Sequence, residues 1–356
     1  MRLVICWSDI SGYMAACWRA LAALPGVEAH VIATEASGRT FNNDLIAGLH
    51  VKLIPQDRRE DLDLIRALVR ERRPDVLYTS GWSNPAYRAM AASKEFQGVP
   101  KWMGVDTPYL GTLRQQVGRV VLRRYVARMD KVFVAGERAW QYLRALGAPE
   151  ARLRRGLYGV DHEALAPAHA QRCADPRGWP KRFLFIGRYV EEKGIPTLVR
   201  AYARYRGSVS DPWPLTTCGV GPMTELLRAD GIDDLGFRQP AEMREIMLRH
   251  GALVLSSHFD PWPLVVVEAA AAGLPVACTE ACGSAVELVR PYHNGLTVAT
   301  GDPDALARAL IWLHERHAEL PRMGERGREL ASGYSAQAWA LRWTEAARES
   351  AGRPLP

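Results

Sequence analysis

Strand-length apolar runs alternate with helix-period stretches along almost the whole of this 356-residue chain, and that alternation constrains the fold more than any other feature. The runs Val27–Ala33, Val76–Thr79, Val132–Ala135, Phe183–Ile186, Leu215–Cys218, Ala252–Ser256 and Pro275–Cys278 read as strands. The first residues, Met1 to Trp7, read as one more. Between them, Met14–Ala23, Pro85–Ser93 and Pro303–Leu313 carry helical periodicity. Strands that are apolar on both faces belong in parallel sheets covered by helices on both sides.

The alternation breaks once. His162 to Lys181 (HEALAPAHAQRCADPRGWPK) is rich in Ala, Pro and charge and has no strand period, so it reads as a linker. Two doubly wound α/β halves follow, residues 1–162 and 182–334 joined by 163–181, which suits a chain too long for one ordinary domain. The tail 335–356 reads as a helix whose Trp339 and Trp343 must bury their rings, and the first half is the expected place.

Composition narrows the class. Hydrophobic residues make up 48% and charged residues 24%, as expected of a globular chain with true cores. No apolar run approaches the ~18 residues of a membrane span, and the N-terminus lacks a signal-peptide cleavage pattern, so a cytoplasmic location is expected. Cys6, Cys17, Cys173, Cys218, Cys278 and Cys282 are scattered and lack the paired spacing of a zinc site. The net charge of +7 favours anionic ligands or surfaces. Much of it gathers between residues 113 and 131, where Arg114, Arg119, Arg123, Arg124, Arg128 and Lys131 surround Leu113, Val117, Val120, Val121 and Tyr125 at helical spacing. That segment is either a surface helix with its apolar stripe in the core or a basic amphipathic helix that lies on the inner face of an anionic membrane. No aromatic stacking positions are interleaved with these cations, which counts against nucleic acid.

Four segments carry candidate chemistry. In Phe185-Ile186-Gly187-Arg188-Tyr189-Val190-Glu191-Glu192-Lys193-Gly194-Ile195 a strand ends at Gly187 and a helix starts near Ile195. Arg188 and Lys193 thus stand at the carboxyl end of a strand and beside a helix N-terminus, a place for a diphosphate. In Phe259-Asp260-Pro261-Trp262-Pro263-Leu264-Val265-Val266-Val267-Glu268, Asp260 lies in a loop and Glu268 about one turn into the next helix. Carboxylates of this kind accept hydrogen bonds from vicinal sugar hydroxyls, and the free amides of Leu264 and Val265 suit phosphate oxygens. Cys218-Gly219-Val220-Gly221-Pro222 reads as strand, glycines, helix, or as no more than a tight turn. Leu235-Gly236-Phe237-Arg238 reads as another strand end, able to set backbone groups and a ring against a nucleobase.

The order of these segments, followed by Gly283 to Val289, Asn294-Gly295-Leu296 and Gly301-Asp302, resembles the retaining glycosyltransferase family 4, or glycosyl transferases group 1. The resemblance covers nearly all of residues 155–332. It extends more loosely to Asp9-Ile10-Ser11-Gly12-Tyr13, Gly104-Val105-Asp106, Val134-Ala135-Gly136-Glu137 and Gly159-Val160-Asp161. It implies a GT-B fold of two Rossmann-like domains facing across a cleft, with the nucleotide-sugar donor chiefly in the C-terminal half and the acceptor chiefly in the N-terminal half. It implies transfer from a UDP- or GDP-sugar to a hydroxyl on a saccharide or lipid-linked acceptor, with retention and without a metal or other cofactor. By position, Arg188 and Lys193 match the diphosphate-binding cations and Glu268 the ribose-binding acid. Asp260 matches the donor-sugar acid, and Gly12 the glycine loop that approaches the phosphates. The donor set also takes in Gly187, Gly219, Phe237, Arg238, Leu264 and Val265.

Three departures stand out. Asp260 replaces the usual Glu, Pro263 stands where Gly is common and removes an N–H, and the cleft histidine has no match. Asp106 occupies a similar strand end, where it either orients the donor sugar, accepts a proton from the acceptor, or caps a turn. Two alternative functions remain at this level, a nucleotide-sugar epimerase and a non-catalytic nucleotide-binding partner subunit. Asp61-Leu62-Asp63 resembles a metal-binding DxD, but it opens a helix, where acids favour the dipole.

Overall fold

The computed structural model describes residues 1–10, 12–35 and 43–350. The chain divides into two compact units, Met1–Val160 with the segment from Ala336 onward, and Asp161–Ser335.

The first unit is a seven-stranded, wholly parallel sheet. Its strands are β1 (Arg2–Asp9), β2 (Glu28–Thr34), β3 (His50–Ile54), β4 (Val76–Ser80), β5 (Lys101–Val105), β6 (Lys131–Val134) and β7 (Leu153–Arg155), in the order β3-β2-β1-β4-β5-β6-β7. The chain winds outward from β1 and then returns to β4, so the switch point lies between those two strands. Central strands such as β6 are buried along their whole length, as a sheet covered on both faces requires. The helix Leu62–Arg72 begins with Asp61, whose side chain accepts from the Leu64 N–H at 2.9 Å and pairs with Arg58. The Asp61-Leu62-Asp63 stretch is therefore a helix start with its acids in the first turn.

The C-terminal helix, Ala336–Ser350, belongs to the first unit and packs on the helix Gly12–Ala22. Trp339 and Trp343 are fully buried. Their indole N–H groups donate to the Leu157 and Gly156 carbonyls at 3.0 and 3.1 Å. The Trp343 ring lies 4.3 Å from Trp339, 4.7 Å from Phe133 and 4.9 Å from Tyr78, centroid to centroid.

The second unit is a six-stranded parallel sheet. Its strands are β8 (Phe183–Ile186), β9 (Leu215–Cys218), β10 (Ile232–Asp234), β11 (Ala252–Leu255), β12 (Val276–Thr279) and β13 (Gly295–Val298), in the order β10-β9-β8-β11-β12-β13. Its switch point falls between β8 and β11.

Two sequence readings need correction. Residues 163–181 are not a free connector. They carry most of the helix His162–Leu165 and all of Pro167–Cys173, and Pro167 takes a first-turn position, where its missing N–H costs nothing. Arg172 is buried there and donates to the carbonyls of Met247, Ala272 and Gly273 at 3.0, 3.2 and 3.1 Å, capping chain ends that an Ala- and Pro-rich composition does not reveal. The glycine stretch after β9 leads only into a single 3-10 turn, Thr224–Leu227, rather than a full helix.

Trp343→Ala should destabilise the first unit by about 3–5 kcal/mol, the range for emptying a large core aromatic site. Leu341→Ala, two residues away but 60% exposed, should change stability by less than about 0.5 kcal/mol. Urea denaturation of the two variants checks both values.

Candidate active site

In an open parallel sheet the carboxyl ends of the strands beside the switch point form a crevice, because the connecting chains leave in opposite directions. In the second unit those strands are β8 and β11. The segments that follow them are Gly187–Gly194 and Ser256–Pro263, the two with the strongest chemical signal in the sequence.

Backbone bonds lock these segments together. His258 and Phe259 both donate to the Glu192 carbonyl, at 2.8 and 3.1 Å. Ser256 Oγ donates to the Lys193 carbonyl at 2.9 Å. Gly194 has φ +65°, and a Cβ there would stand 2.0 Å from the Ser256 carbonyl oxygen, so only glycine permits this approach. The backbone of Lys193 is thus fixed by its neighbours on the next strand. Its ammonium forms an ion pair with the carboxylate of Asp260. Asp260 is 7% exposed, and burial pushes its carboxyl above the usual range although Lys193 and then Arg188 pull it back down.

Arg188 lies on the same loop, one residue beyond Gly187, with its side chain exposed and in no ion pair or hydrogen bond with a described residue. Glu268 occupies the fifth position of the helix Leu264–Ala271. Its carboxyl has no side-chain partner among the described residues, and burial raises it from 4.5 to about 7. The helix begins directly after Pro263, which offers no side-chain cap, so the first-turn amides of Leu264 and Val265 remain open.

The glycines of the Cys218–Pro222 stretch are packing elements. Gly187 and Tyr189 donate to the carbonyls of Cys218 and Val220, both at 3.0 Å, extending the β8–β9 ladder beyond the strands. A Cβ on Gly219 would meet the Gly187 carbonyl oxygen at 1.9 Å, and one on Gly221 the Tyr189 carbonyl oxygen at 2.3 Å. These glycines hold the loop of Arg188 close to β9. Past β10, Gly236 turns with φ +66° and Arg238 reaches Glu242 at 3.4 Å, while the Nε of Arg238 is buried without a partner. Phe237 beside it is half-buried.

Gly12 and Asp106 belong to the first unit. Gly12 opens the helix Gly12–Ala22 after β1, and Ser11 beside it lies outside the described residues. Asp106 follows β5 and accepts a 2.9 Å hydrogen bond from the Tyr158 hydroxyl. Tyr158 also meets Tyr13 and Trp7 edge-on at 6.0 and 6.1 Å. Burial and then the Asp106 charge push its phenol upward, so it stays a donor. Tyr158 and Ser256 are site residues the sequence did not single out. Each acts on a partner more than fifty positions away, which no local pattern marks. Among the described residues no group of His, Cys, Asp and Glu is arranged to hold a metal ion.

Comparison with known proteins points to one family. Residues 175–330 match the model "Glycosyl transferases group 1" and residues 10–156 match "Glycosyl transferase 4-like domain". The chain is 27% identical over 315 residues to a glycogen synthase of Mycobacterium tuberculosis, covering 80% of this chain and 71% of that one. It is 26% identical over 292 residues to the GDP-mannose-dependent alpha-mannosyltransferase of the same organism, covering 74% and 71%. Among solved structures, Anabaena Alr3699/HepE, in complex with UDP and, in another crystal, with UDP-glucose, superposes with a TM-score of 0.73. That match spans 98% of this chain and 100% of the other at 17% identity, a likeness of fold. Two parallel Rossmann-like units of the GT-B type, each matched by a glycosyltransferase model, place this chain in the family of group 1 glycosyltransferases.

Proposed function

We propose that the second unit binds a nucleoside diphosphate sugar across the ends of β8 and β11, and that the first unit binds a hydroxyl acceptor near Asp106. One observation carries the reading. A fixed ammonium (Lys193), an exposed guanidinium (Arg188) and a half-buried carboxyl (Glu268), the last two without a side-chain partner among the described residues, all stand on the segments beside one switch point.

An ammonium has three donors, and Asp260 engages one side of it, which leaves protons for phosphate oxygens. Arg188 supplies the second positive charge, and the open amides of Leu264 and Val265 add dipoles of the same sign. Glu268 is placed to accept from the two ribose hydroxyls. Asp260 holds Lys193 in place at the edge of the sugar's site. Gly187 and Gly219 keep the phosphate loop close to the sheet, and Phe237 and Arg238 stand at the strand end expected to meet the base. On the acceptor side, Gly12 opens the first helix beside the switch point of β1 and β4, where its small size admits the substrate. Tyr158 orients Asp106 toward the acceptor oxygen.

Transfer needs no nucleophile from the protein. The anomeric carbon–oxygen bond breaks and its electron pair leaves with the diphosphate. The acceptor oxygen bonds to the same carbon from the same face, and its proton passes to the departing phosphate oxygen. Arg188 and Lys193 stabilise the charge that grows on the leaving group, and configuration is retained without a metal. The kinship with a glycogen synthase and an alpha-mannosyltransferase supports a sugar acceptor, and a UDP- or GDP-linked donor suits both cations equally. We infer a cytoplasmic enzyme of bacterial surface polysaccharide or glycolipid synthesis.

Removing a leaving-group cation that acts in the transition state should cost a factor of about 10²–10³ in turnover. Arg188→Ala, whose side chain supports no other part of the fold, should show that loss with an unchanged melting temperature, measured by release of UDP or GDP from the sugar donor with a hydroxyl acceptor present. Turnover within twofold of the parent would remove the leaving-group assignment.

Glu268 gives a pH dependence of known sign. A carboxylate that accepts hydroxyl protons must be ionised, and a group titrating near 7 is about tenfold more ionised at pH 8 than at pH 6. Donor affinity by calorimetry should therefore tighten up to about tenfold over that interval, and Glu268→Gln should flatten the curve. Stability moves the other way. The folded acid holds its proton more tightly than the unfolded one, so this group favours folding below pH 4.5, and that contribution is lost as the pH rises to about 7.

A further inference from the structure

The helix Leu113–Val126 carries two apolar stripes. Gly118, Leu122, Tyr125 and Val126 follow the spacing i, i+4, i+7, i+8, and this stripe faces inward, with Tyr125 and Val126 buried and Leu122 against the same core cluster. Leu113, Val117, Val120 and Val121 follow the identical spacing five residues earlier, which turns the second stripe by about 140° on a 3.6-residue helix. That stripe is bare. The four side chains are 75%, 70%, 65% and 67% exposed, and Tyr109 and Leu110 extend it along the preceding loop at 47% and 57%. Of the five residues that the sequence groups into one stripe, Tyr125 packs into the core, while Leu113, Val117, Val120 and Val121 do not. The inner stripe already anchors the helix, so the outer one does nothing for the fold.

Its surroundings are uniformly positive. The helix contains Arg114, Arg119, Arg123 and Arg124 and no acid, and Arg128 follows it. None of these five makes an ion pair with a described residue. Arg124 lies within the bare stripe one turn beyond Val120 and Val121, with Arg114 at one margin and Arg123 toward the other, where their aliphatic stems can run along an apolar phase while the guanidinium groups reach outward.

We propose that this face seats on an anionic lipid bilayer, with Leu113, Val117, Val120 and Val121 entering the headgroup–acyl boundary and the arginines contacting lipid phosphates. Charge decides between occupants. A second copy of the face would set its arginines, Arg114, Arg123 and Arg124, against the same three with no acid between them, and a nucleic acid would find aliphatic side chains along this helix face where it needs flat rings. An anionic interface satisfies both stripe and charges, since apolar burial and electrostatic attraction act together there. The orientation follows from the fold, because the inner stripe fixes the bare one on the outside of the first unit. Among the described residues no helix is long and apolar enough to cross a membrane, so the contact is a surface one. The inference is independent of the transfer chemistry.

Vesicle flotation with the full chain tests it. The parent should float with vesicles of phosphatidylcholine containing 30–40% phosphatidylglycerol, roughly the anionic content that gives a strong negative surface potential. Binding to pure phosphatidylcholine should be weaker by about an order of magnitude, and raised salt should release the protein from the anionic vesicles. Val117→Glu with Val121→Glu, both on exposed positions, should leave the melting temperature and UDP-sugar turnover on a soluble acceptor unchanged and abolish flotation. Arg114→Glu with Arg124→Glu should do the same. Equal flotation of the parent and both variants, or no flotation of the parent, would overturn the proposal. So would a stable parent dimer in size-exclusion chromatography that V117E/V121E converts to monomer, because the face would then bind itself.

Discussion

The ion pair between Lys193 and Asp260 sets the arrangement of the second unit's ligand end. It joins the segment after β8 to the segment after β11, the two chains that diverge at the switch point. Burying such a pair gains little net stability, because desolvation of the two charges offsets their attraction. Its value is positional. With Asp260 almost wholly buried, the ammonium has one place to be, and a neighbouring residue in the same loop, Arg188, is left to provide the exposed charge. The shorter acid at position 260 fits this division. A carboxylate one methylene closer to its backbone sits down in the loop against Lys193, and the backbone there is pinned by the bond from the Gly283 N–H to the Asp260 carbonyl at 2.9 Å.

The same crevice explains why three kinds of residue that look unrelated in the sequence belong together. Gly194, Gly219 and Gly221 are sites where a Cβ would strike a backbone carbonyl of the adjacent segment. Ser256 and Glu192 supply the hydrogen bonds across the gap. Lys193 and Asp260 supply the charge. Close approach comes first, since the bonds and the ion pair require loops nearer together than side chains would allow. A glycine motif here serves the ligand indirectly, by setting how near the cation-bearing loop lies to its neighbours.

Much of this was legible in the sequence, and the failures share physical causes. The buried central strands β1, β2, β4, β6, β8, β9, β11 and β12 announce themselves as apolar runs. The four edge strands β3, β7, β10 and β13 do not, because an edge is half-covered and needs no continuous apolar stretch, and neither does the central β5, whose Lys101 and Gly104 interrupt the apolar run. Arg188, Lys193 and Asp260 stand out in the sequence because loops at strand ends concentrate chemistry in short segments, and Glu268 because it is the one acid in an otherwise apolar helix. Tyr158 and Arg172 do not, because their partners lie across the fold. The helix Leu113–Val126 shows the sharpest limit. Two stripes of identical spacing produce one periodic signal, and periodicity alone cannot say which stripe faces inward. Packing decides it, through Tyr125 and Val126 against Met129 and Val134.

The two units repeat one topology and differ in what they place at its switch point. Beside β8 and β11 stand cations and carboxyls, groups that act on phosphates and on hydroxyls at fixed positions. Near the ends of β1, β4 and β5 stand rings. Trp7 stacks on Tyr78 at 5.5 Å, and Tyr158, which meets Tyr13 edge-on, donates to a single carboxylate, Asp106. On the proposed reading this difference follows from the chemistry of the two substrates. A donor carries its charge in a diphosphate and needs electrostatic holding that strengthens as the bond to the sugar breaks. An acceptor has one reacting hydroxyl on a largely neutral body and needs shape around one hydrogen-bonding group. A sheet that ends in aromatic rings and one oriented acid supplies the second requirement as directly as the Lys193 loop supplies the first.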